Sequence, residues 1–285
     1  MSPLSEIPVT FECEAEQLIG IIHPATDSLM QLGVLIIVGG PQYRVGSHRQ
    51  FVLLARQLTA NGFSTMRFDY RGMGDSTGET RSFEQIDADI RSALTCFYQH
   101  CPHLSGVVLW GLCDAASATL FYGYQDERIK GLALLNPWVF TEQGKAKTYL
   151  KHYYWQQLLN KTVWHKMFTR RFNYQDSFAS LLAIVTALWH RQLPEQWQPS
   201  LPLPLRLRDC WQRFEQPILL ILSGRDLTAS EFKEMVNADC VWQQLLAEQR
   251  VTRHDLLAAD HTFSSQAWRD QVADWVLHWL KNLSP

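Results

Sequence analysis

Hydrophobic and polar positions alternate at the start of the chain, then give way to continuous apolar runs separated by stretches of helical spacing. Residues 9–13 and 18–22 flank a polar turn and predict an antiparallel hairpin. Residues 33–38 form an unbroken apolar run, the pattern of a strand covered on both faces, and lead into Gly39, Gly40 and Pro41. Phe51, Leu54, Ala55 and Leu58 recur at helical spacing, with Asn61 and Gly62 as the stop. A strand over 64–68 follows, then a loop over 69–78. Ser82 is placed to cap a helix whose apolar face is Phe83, Ile86, Ile90, Leu94 and Phe97. Residues 107–110 run apolar into Gly111, predicting a buried strand that turns sharply at Cys113 into a helix over 115–124. Residues 129–135 predict another strand, ending at Asn136 and Pro137.

The alternation then stops. Residues 138–208 show helical and aromatic stretches but no strand pattern, and they carry ten Lys or Arg against three acids. Pro194, Pro199, Pro202 and Pro204 suit a semi-rigid return linker. Strand and helix patterns resume with a strand over 217–223, helix over about 230–249 and a strand over 251–257. The final helix carries Val272, Trp275, Val276, Trp279, Leu280 and Leu283 on one face. This order predicts an α/β protein with a mostly parallel central sheet and helices on both faces. Its core is expected in two parts, 1–137 and 209–285, with a helical cap inserted over 138–208.

Composition narrows the function classes. With 285 residues, 46% hydrophobic and 19% charged, the chain supports a large core and is not a disordered tail. A net charge of -2 argues against nucleic acid as a partner. The first residues lack a basic start followed by an apolar run, and the longest apolar runs are strand-sized. A cytoplasmic protein without a transmembrane segment is expected. The cysteines at 13, 96, 101, 113, 210 and 240 contain no C-x-x-C pair, so reduced thiols are expected and no metal site is implied. Nothing calls for an organic cofactor.

The strand–turn–helix at Cys113 matches the turn on which α/β-hydrolases present a nucleophile, G-x-nucleophile-x-small. Gly111 and Ala115 are the small flanking residues. Read alone, a cysteine after a core strand is ordinary packing; the remaining residues change that. Acyl chemistry on a thiol needs a base, a group that orients the base, and donors for the oxyanion. In this fold the order along the chain is nucleophile, acid, histidine. Asp226, just after a predicted strand, is the acid candidate, with Asp255 and Asp260 as rivals. His261, between the last strand and the last helix, is the base candidate, ahead of His254 inside the strand. The oxyanion donors would be the amides of Gly40 and Asp114, since Pro41 has no N–H. The Asp114 side chain is ambiguous: it opposes a thiolate at Cys113, and it either contacts substrate or merely caps the helix. Gly72, Gly74 and Gly78 are spaced one residue too far for a dinucleotide fingerprint and read as a tight loop beside the site.

The stretch 68–76, Phe-Asp-Tyr-Arg-Gly-Met-Gly-Asp-Ser, resembles a loop of the serine aminopeptidase and monoglyceride-lipase branch of α/β-hydrolases. Residues 38–51 together with 110–117 resemble the exosortase A system-associated hydrolase 1 family more specifically. The resemblance covers nearly the whole chain, the cap least. It implies the α/β-hydrolase fold, Cys113 where relatives carry serine, and Asp226 and His261 as its acid and base. It also implies a context of exopolysaccharide production and envelope protein sorting. The chain departs from general hydrolase patterns in lacking a histidine before Gly39, in cysteine for serine, and in Ala115 for glycine. The reading that follows is a Cys-His-Asp hydrolase of esters or thioesters. Its substrate would be a small acyl or glycosyl-linked molecule, with an anionic part if the basic excess of the cap faces it. Two alternatives share the scaffold: an acyltransferase in which a sugar hydroxyl replaces water, and a non-catalytic binding member.

Overall fold

The computed structural model describes residues 5–25, 30–40, 42–140 and 201–283. The chain divides into two compact units, Met1–Val139 with Arg206–Pro285, and Phe140–Leu205. The expected cap over 138–208 falls mostly on residues 141–200, outside the described residues.

The first unit is built on one eight-stranded sheet. Its strands are β1 (Ile7–Cys13), β2 (Glu16–His23), β3 (Leu32–Ile37), β4 (Thr65–Asp69), β5 (Gly106–Leu112), β6 (Ile129–Leu135), β7 (Ile218–Ser223) and β8 (Val251–Leu256). They lie in the order β1-β2-β4-β3-β5-β6-β7-β8. The hairpin β1–β2 is antiparallel, β2 meets β4 antiparallel, and every pair from β4 to β8 is parallel. The helices are α1 (Gln50–Ala60), α2 (Asp87–His100), α3 (Asp114–Gly123), α4 (Leu203–Arg213), α5 (Leu227–Ala238), α6 (Cys240–Leu246) and α7 (Gln266–Leu283). This is the α/β-hydrolase fold expected from the alternation of strand and helix.

The central strands are continuous apolar runs because both faces are covered: β3, β5 and β7 are buried at every position. Side chains alternate between faces. Val34, Ile36, Val108, Trp110, Ala133, Leu135, Leu219 and Ile221 form one core with Phe51, Leu54, Ala55 and Leu58 of α1 and Val272, Val276, Trp279 and Leu280 of α7. The opposite face, where Leu35, Ile37, Leu109, Leu134 and Leu220 are buried, meets α2 and α3.

Three local expectations need correction. Ser82 caps a single 3-10 turn, Phe83–Gln85, through the Glu84 amide at 3.3 Å. The following helix starts afresh at Asp87 because Ile86 is non-helical. The helix expected over about 230–249 is two helices, α5 and α6. Asp239 is extended and accepts from the Val241 amide at 2.8 Å, capping a new start. At the far end of the return linker, Pro204 sits in the first turn of α4, where a missing N–H costs nothing.

Parallel strands align their carboxyl ends along one edge of the sheet, where loops from neighbouring strands meet. That edge carries Gly40 after β3, Asp69 at the end of β4, Cys113 after β5, Asn136 after β6, Asp226 after β7 and His261 after β8. The strand order therefore sets Gly40 beside Cys113, and Asp226 beside His261, with the β6 end between the two pairs.

Candidate active site

Cys113 stands between β5 and α3 with φ 64° and ψ -124°, a left-handed conformation that costs a non-glycine residue on the order of 1–3 kcal/mol. The sharp turn brings the start of α3 back over the strand. A Cβ on Gly111 would lie 2.6 Å from the carbonyl of Ala115 and 2.7 Å from the Ala116 nitrogen, so only glycine fits there. The turn is anchored by Cys113 N–H donating to Leu135 O at 2.9 Å and by Trp138 N–H donating to Cys113 O at 3.2 Å. Cys113 is half-buried, while Cys13, Cys96, Cys101 and Cys210 are buried and Cys240 is exposed; all six are free thiols. Burial pushes the thiols of Cys96 and Cys210 up to about 11, which makes them inert packing groups.

His261 faces this turn. Its Nδ1 lies 3.0 Å from Asp226 Oδ1, which leaves Nε2 as the nitrogen available to Cys113, whose side chain acts on the ring. Burial pulls the imidazole down, but the Asp226 hydrogen bond and the Cys113 side chain outweigh it, and the ring is pushed up to about 10. Asp226 has two tasks. It orients the ring, and as the extended N-cap of α5 it accepts from the amides of Thr228 at 3.3 Å and Ala229 at 3.0 Å. The rivals for the acid are engaged elsewhere. Asp255 pairs with Lys233 and Arg253, and Asp260 accepts from the Ser264 amide at 2.9 Å and from its hydroxyl. His254 lies on β8, stacked on Trp275 with ring centroids 4.4 Å apart.

The loops holding acid and base are stitched together. Arg225 N–H donates to Ala259 O at 2.9 Å, and Ser223 Oγ donates to Asp260 O at 2.8 Å. Asn136 completes the stitching. It is fully buried with φ 44°, donates through Nδ2 to His261 O at 3.0 Å and to Ser223 Oγ at 2.9 Å, and accepts from the Ser223 amide at 2.8 Å. In the sequence it reads only as the end of a strand before Pro137. The available signal was an asparagine, a residue that tolerates left-handed backbone, at the carboxyl end of a core strand.

The expected oxyanion loop is held by charge. Arg44 N–H donates to Asp69 Oδ1 at 2.6 Å, its guanidinium reaches Asp69 Oδ2 and, at 2.7 Å, Asp75 Oδ2, and Arg67 Nη1 donates to Arg44 O at 3.1 Å. Asp69 is fully buried at the end of β4. The loop 69–78 closes on itself through Gly72 N–H to Thr77 O at 3.0 Å and Met73 N–H to Tyr70 O at 3.0 Å. Gly40 has φ +58° with open space around its Cα, so its glycine serves backbone conformation. Its N–H points at Asp114, donating to Oδ2 at 2.9 Å, and Ala115 N–H donates to Oδ1 at 3.0 Å. The two residues expected as amide donors are thus side by side, but the Gly40 amide is already paired with the Asp114 side chain. Burial raises the Asp114 carboxyl above the usual range, and the Gly40 and Ala115 amides oppose that rise.

The turn at Cys113, the His261 imidazole and the Asp226 carboxylate thus meet at one edge of the sheet. A family model described as "Serine aminopeptidase, S33" matches residues 33–234, well over half of the chain. The chain belongs to the serine aminopeptidase S33 family. No curated protein matches this S33 member. Solved structures share its fold at low identity. The esterase Pf2001 of Pyrococcus furiosus superposes with TM-score 0.67 at 14% identity, covering 99% of this chain and 94% of that one. Est1E of Butyrivibrio proteoclasticus, solved with ferulic acid bound, gives TM-score 0.62 at 11% identity over 96% and 98% of the two chains. XC6422 of Xanthomonas campestris, described as an α/β serine hydrolase without lid, gives 0.59 at 14% identity over 100% and 98%. On the turn after β5 the S33 member carries Cys113 and not a serine. No described helix is long and apolar enough to cross a membrane, and no described group of His, Cys, Asp and Glu is arranged to hold a metal ion.

Proposed function

We propose that this S33 member hydrolyses an ester or thioester through an acyl-cysteine intermediate at Cys113. The observation that carries the reading is the chain of contacts from Asp226 Oδ1 to His261 Nδ1 at 3.0 Å and on from the ring to Cys113, at a turn with φ 64°. Cys113 Sγ would attack the acyl carbon while its proton passes to His261 Nε2. Asp226 holds the ring in the tautomer that makes this possible and stabilises the imidazolium that forms. His261 would then protonate the departing alcohol or thiol. In the second half a water molecule would attack the acyl-cysteine, His261 taking the water's proton and returning one to Cys113 Sγ. The amides of Gly40 and Asp114 are the donors assigned to the oxyanion.

Cysteine in place of serine selects the leaving group. A thiolate is itself a good leaving group, so a tetrahedral adduct with an amine collapses back to the thiol, whereas an alcohol or thiol departs. Esters and thioesters are therefore preferred over the peptides in the family's name. The esterases that share the fold support the same substrate class. The exosortase-associated resemblance adds a setting, acyl groups on exopolysaccharide or envelope intermediates handled in the cytoplasm. A panel of short acyl esters and thioesters assayed on the wild type and Cys113→Ala tests the proposal. Turnover by the wild type, lost by about 10⁴-fold or more in the variant, is expected. Equal rates in the two proteins would overturn it.

A further inference from the structure

One side chain fills the place where a substrate oxygen would go. Asp114 Oδ2 takes the Gly40 amide at 2.9 Å, Oδ1 takes the Ala115 amide at 3.0 Å, and the carboxylate also faces the Asp114 amide itself. Two of these, the Gly40 and Asp114 amides, are the donors assigned above to the oxyanion, and the latter opens α3, where a negative charge is favoured. A carboxylate oxygen held there has the charge and the partners of the oxyanion that forms when a thiol adds to a carbonyl. Gly40 has one N–H, so the two anions cannot share it. The carboxylate is packed close on the backbone of this loop: a Cβ on Gly39 would strike Asp114 Oδ1 and come within 2.8 Å of Leu112 O. Among the described residues, Tyr70 and His261 face the carboxylate. Tyr70, from the loop after β4, is buried, and its phenol is held protonated by that burial and then by Asp114. His261 faces it from the loop after β8, with Cys113 immediately before it in the chain.

For an acyl carbonyl to reach the Gly40 amide, the Asp114 carboxylate must leave it. A partly buried carboxylate that gives up two backbone donors needs others, because an unpaired charge away from water is strongly unfavourable. Among the described residues Tyr70 can offer one hydroxyl, and an arriving molecule can supply further donors.

We propose that Asp114 is a specificity-determining residue. Its carboxylate occupies the oxyanion hole of the free protein. A substrate gains entry by exchange, its carbonyl taking the Gly40 amide while a hydroxyl or ammonium group of its own, beside the scissile bond, receives the displaced carboxylate. The substrate class is thereby narrowed to acyl esters of polyhydroxylated or amine-bearing molecules, such as an acylated sugar. This selection rests on the reading of Cys113 as the acyl acceptor.

Two measurements test it, one independent of turnover. In protein labelled with ¹⁵N-glycine, the Gly40 amide resonance should move in Asp114→Ala, and added acetate should return it toward the wild-type position while leaving the wild type unchanged. An identical Gly40 resonance in both proteins, indifferent to acetate, overturns the proposal. In kinetics, glycerol monoacetate is compared with propyl acetate, which lacks the free hydroxyls. The wild type should favour the hydroxylated ester by about tenfold or more in kcat/KM, the range of a hydrogen bond to a charged group. Asp114→Ala should bring the ratio close to one by accelerating propyl acetate. Asp114→Asn keeps an acceptor for Gly40 without the charge, so it should fall between them, and it stands in if the alanine variant does not fold. A ratio unchanged by substitution, with turnover present, overturns the selection alone. Absence of turnover in every variant overturns the acyl reading and the selection together, and the Gly40 resonance then still reports whether the carboxylate sits in the hole.

Discussion

The two sides of Cys113 are in opposite states. On the β7–β8 side the polar groups are paired with one another in the order in which acyl transfer uses them: Asp226 on His261, His261 on Cys113, and Asn136 holding the His261 carbonyl. On the β3–β5 side the Gly40 and Ala115 amides are paired with the Asp114 carboxylate, which the proposed reaction would have to move. In the proposed reaction one side is poised as it stands, and the other is filled. A hydrolase motif in a sequence therefore describes two different things, a reactive pair that is assembled on folding and a receptor for charge whose occupancy depends on one neighbouring side chain.

The poised side is broken most severely at its carboxylate. Asp226→Asn keeps a good N-cap for α5, so stability should hold, yet it presents the wrong partner to Nδ1. Ester turnover should fall by about 10³–10⁴-fold with the melting temperature nearly unchanged. Asp226→Ala should lose the same activity and in addition about 1 kcal/mol of stability, the value of the cap. If the asparagine variant retains turnover, Asp226 serves the helix and not the ring.

The filled side is tested at its anchor. Arg44→Ala leaves Asp69 fully buried without its cationic partner, and chemical denaturation should show a loss of about 3 kcal/mol. The loop that carries Gly40 keeps its backbone ties to β4 through the Arg44 amide and carbonyl but loses the guanidinium, so residual activity should drop through kcat more than KM. A variant as stable as the wild type would show that Asp75 and water carry this loop instead.

What was legible in the chain follows the same division between local and distant causes. Strands β3, β5 and β7 stood out because burial on both faces leaves an uninterrupted apolar run, and α1 and α7 because one apolar face repeats at helical spacing. The positions of Cys113, Asp226 and His261 at strand ends were legible because parallel strands bring their carboxyl ends to one edge. Element starts were less so. Ser82 and Asp239 are both good caps, but only the backbone angles at Ile86 and Asp239 decide where a helix begins again. Least legible were polar pairs far apart in the chain: Arg44 with Asp69, Asn136 with the His261 carbonyl, and the Asp114 carboxylate with the Gly40 amide. A pattern of types and spacings says that a buried polar group must have a partner; it does not say which one.

The central claim is that Cys113 and His261 share a proton, and the pH dependence of Cys113 alkylation tests it most directly. An ordinary thiol with a pKa of about 8.5 is only about 1% thiolate at pH 6.5. His261, oriented by Asp226 Oδ1 at 3.0 Å, is the group placed to take the thiol's proton as the sulfur attacks an electrophile. Iodoacetamide labelling of Cys113, read by peptide mass spectrometry, should therefore remain rapid at pH 6.5 in the wild type. In His261→Ala it should slow by about tenfold or more and follow the profile of an ordinary thiol. Superimposable profiles in the two proteins would contradict the account.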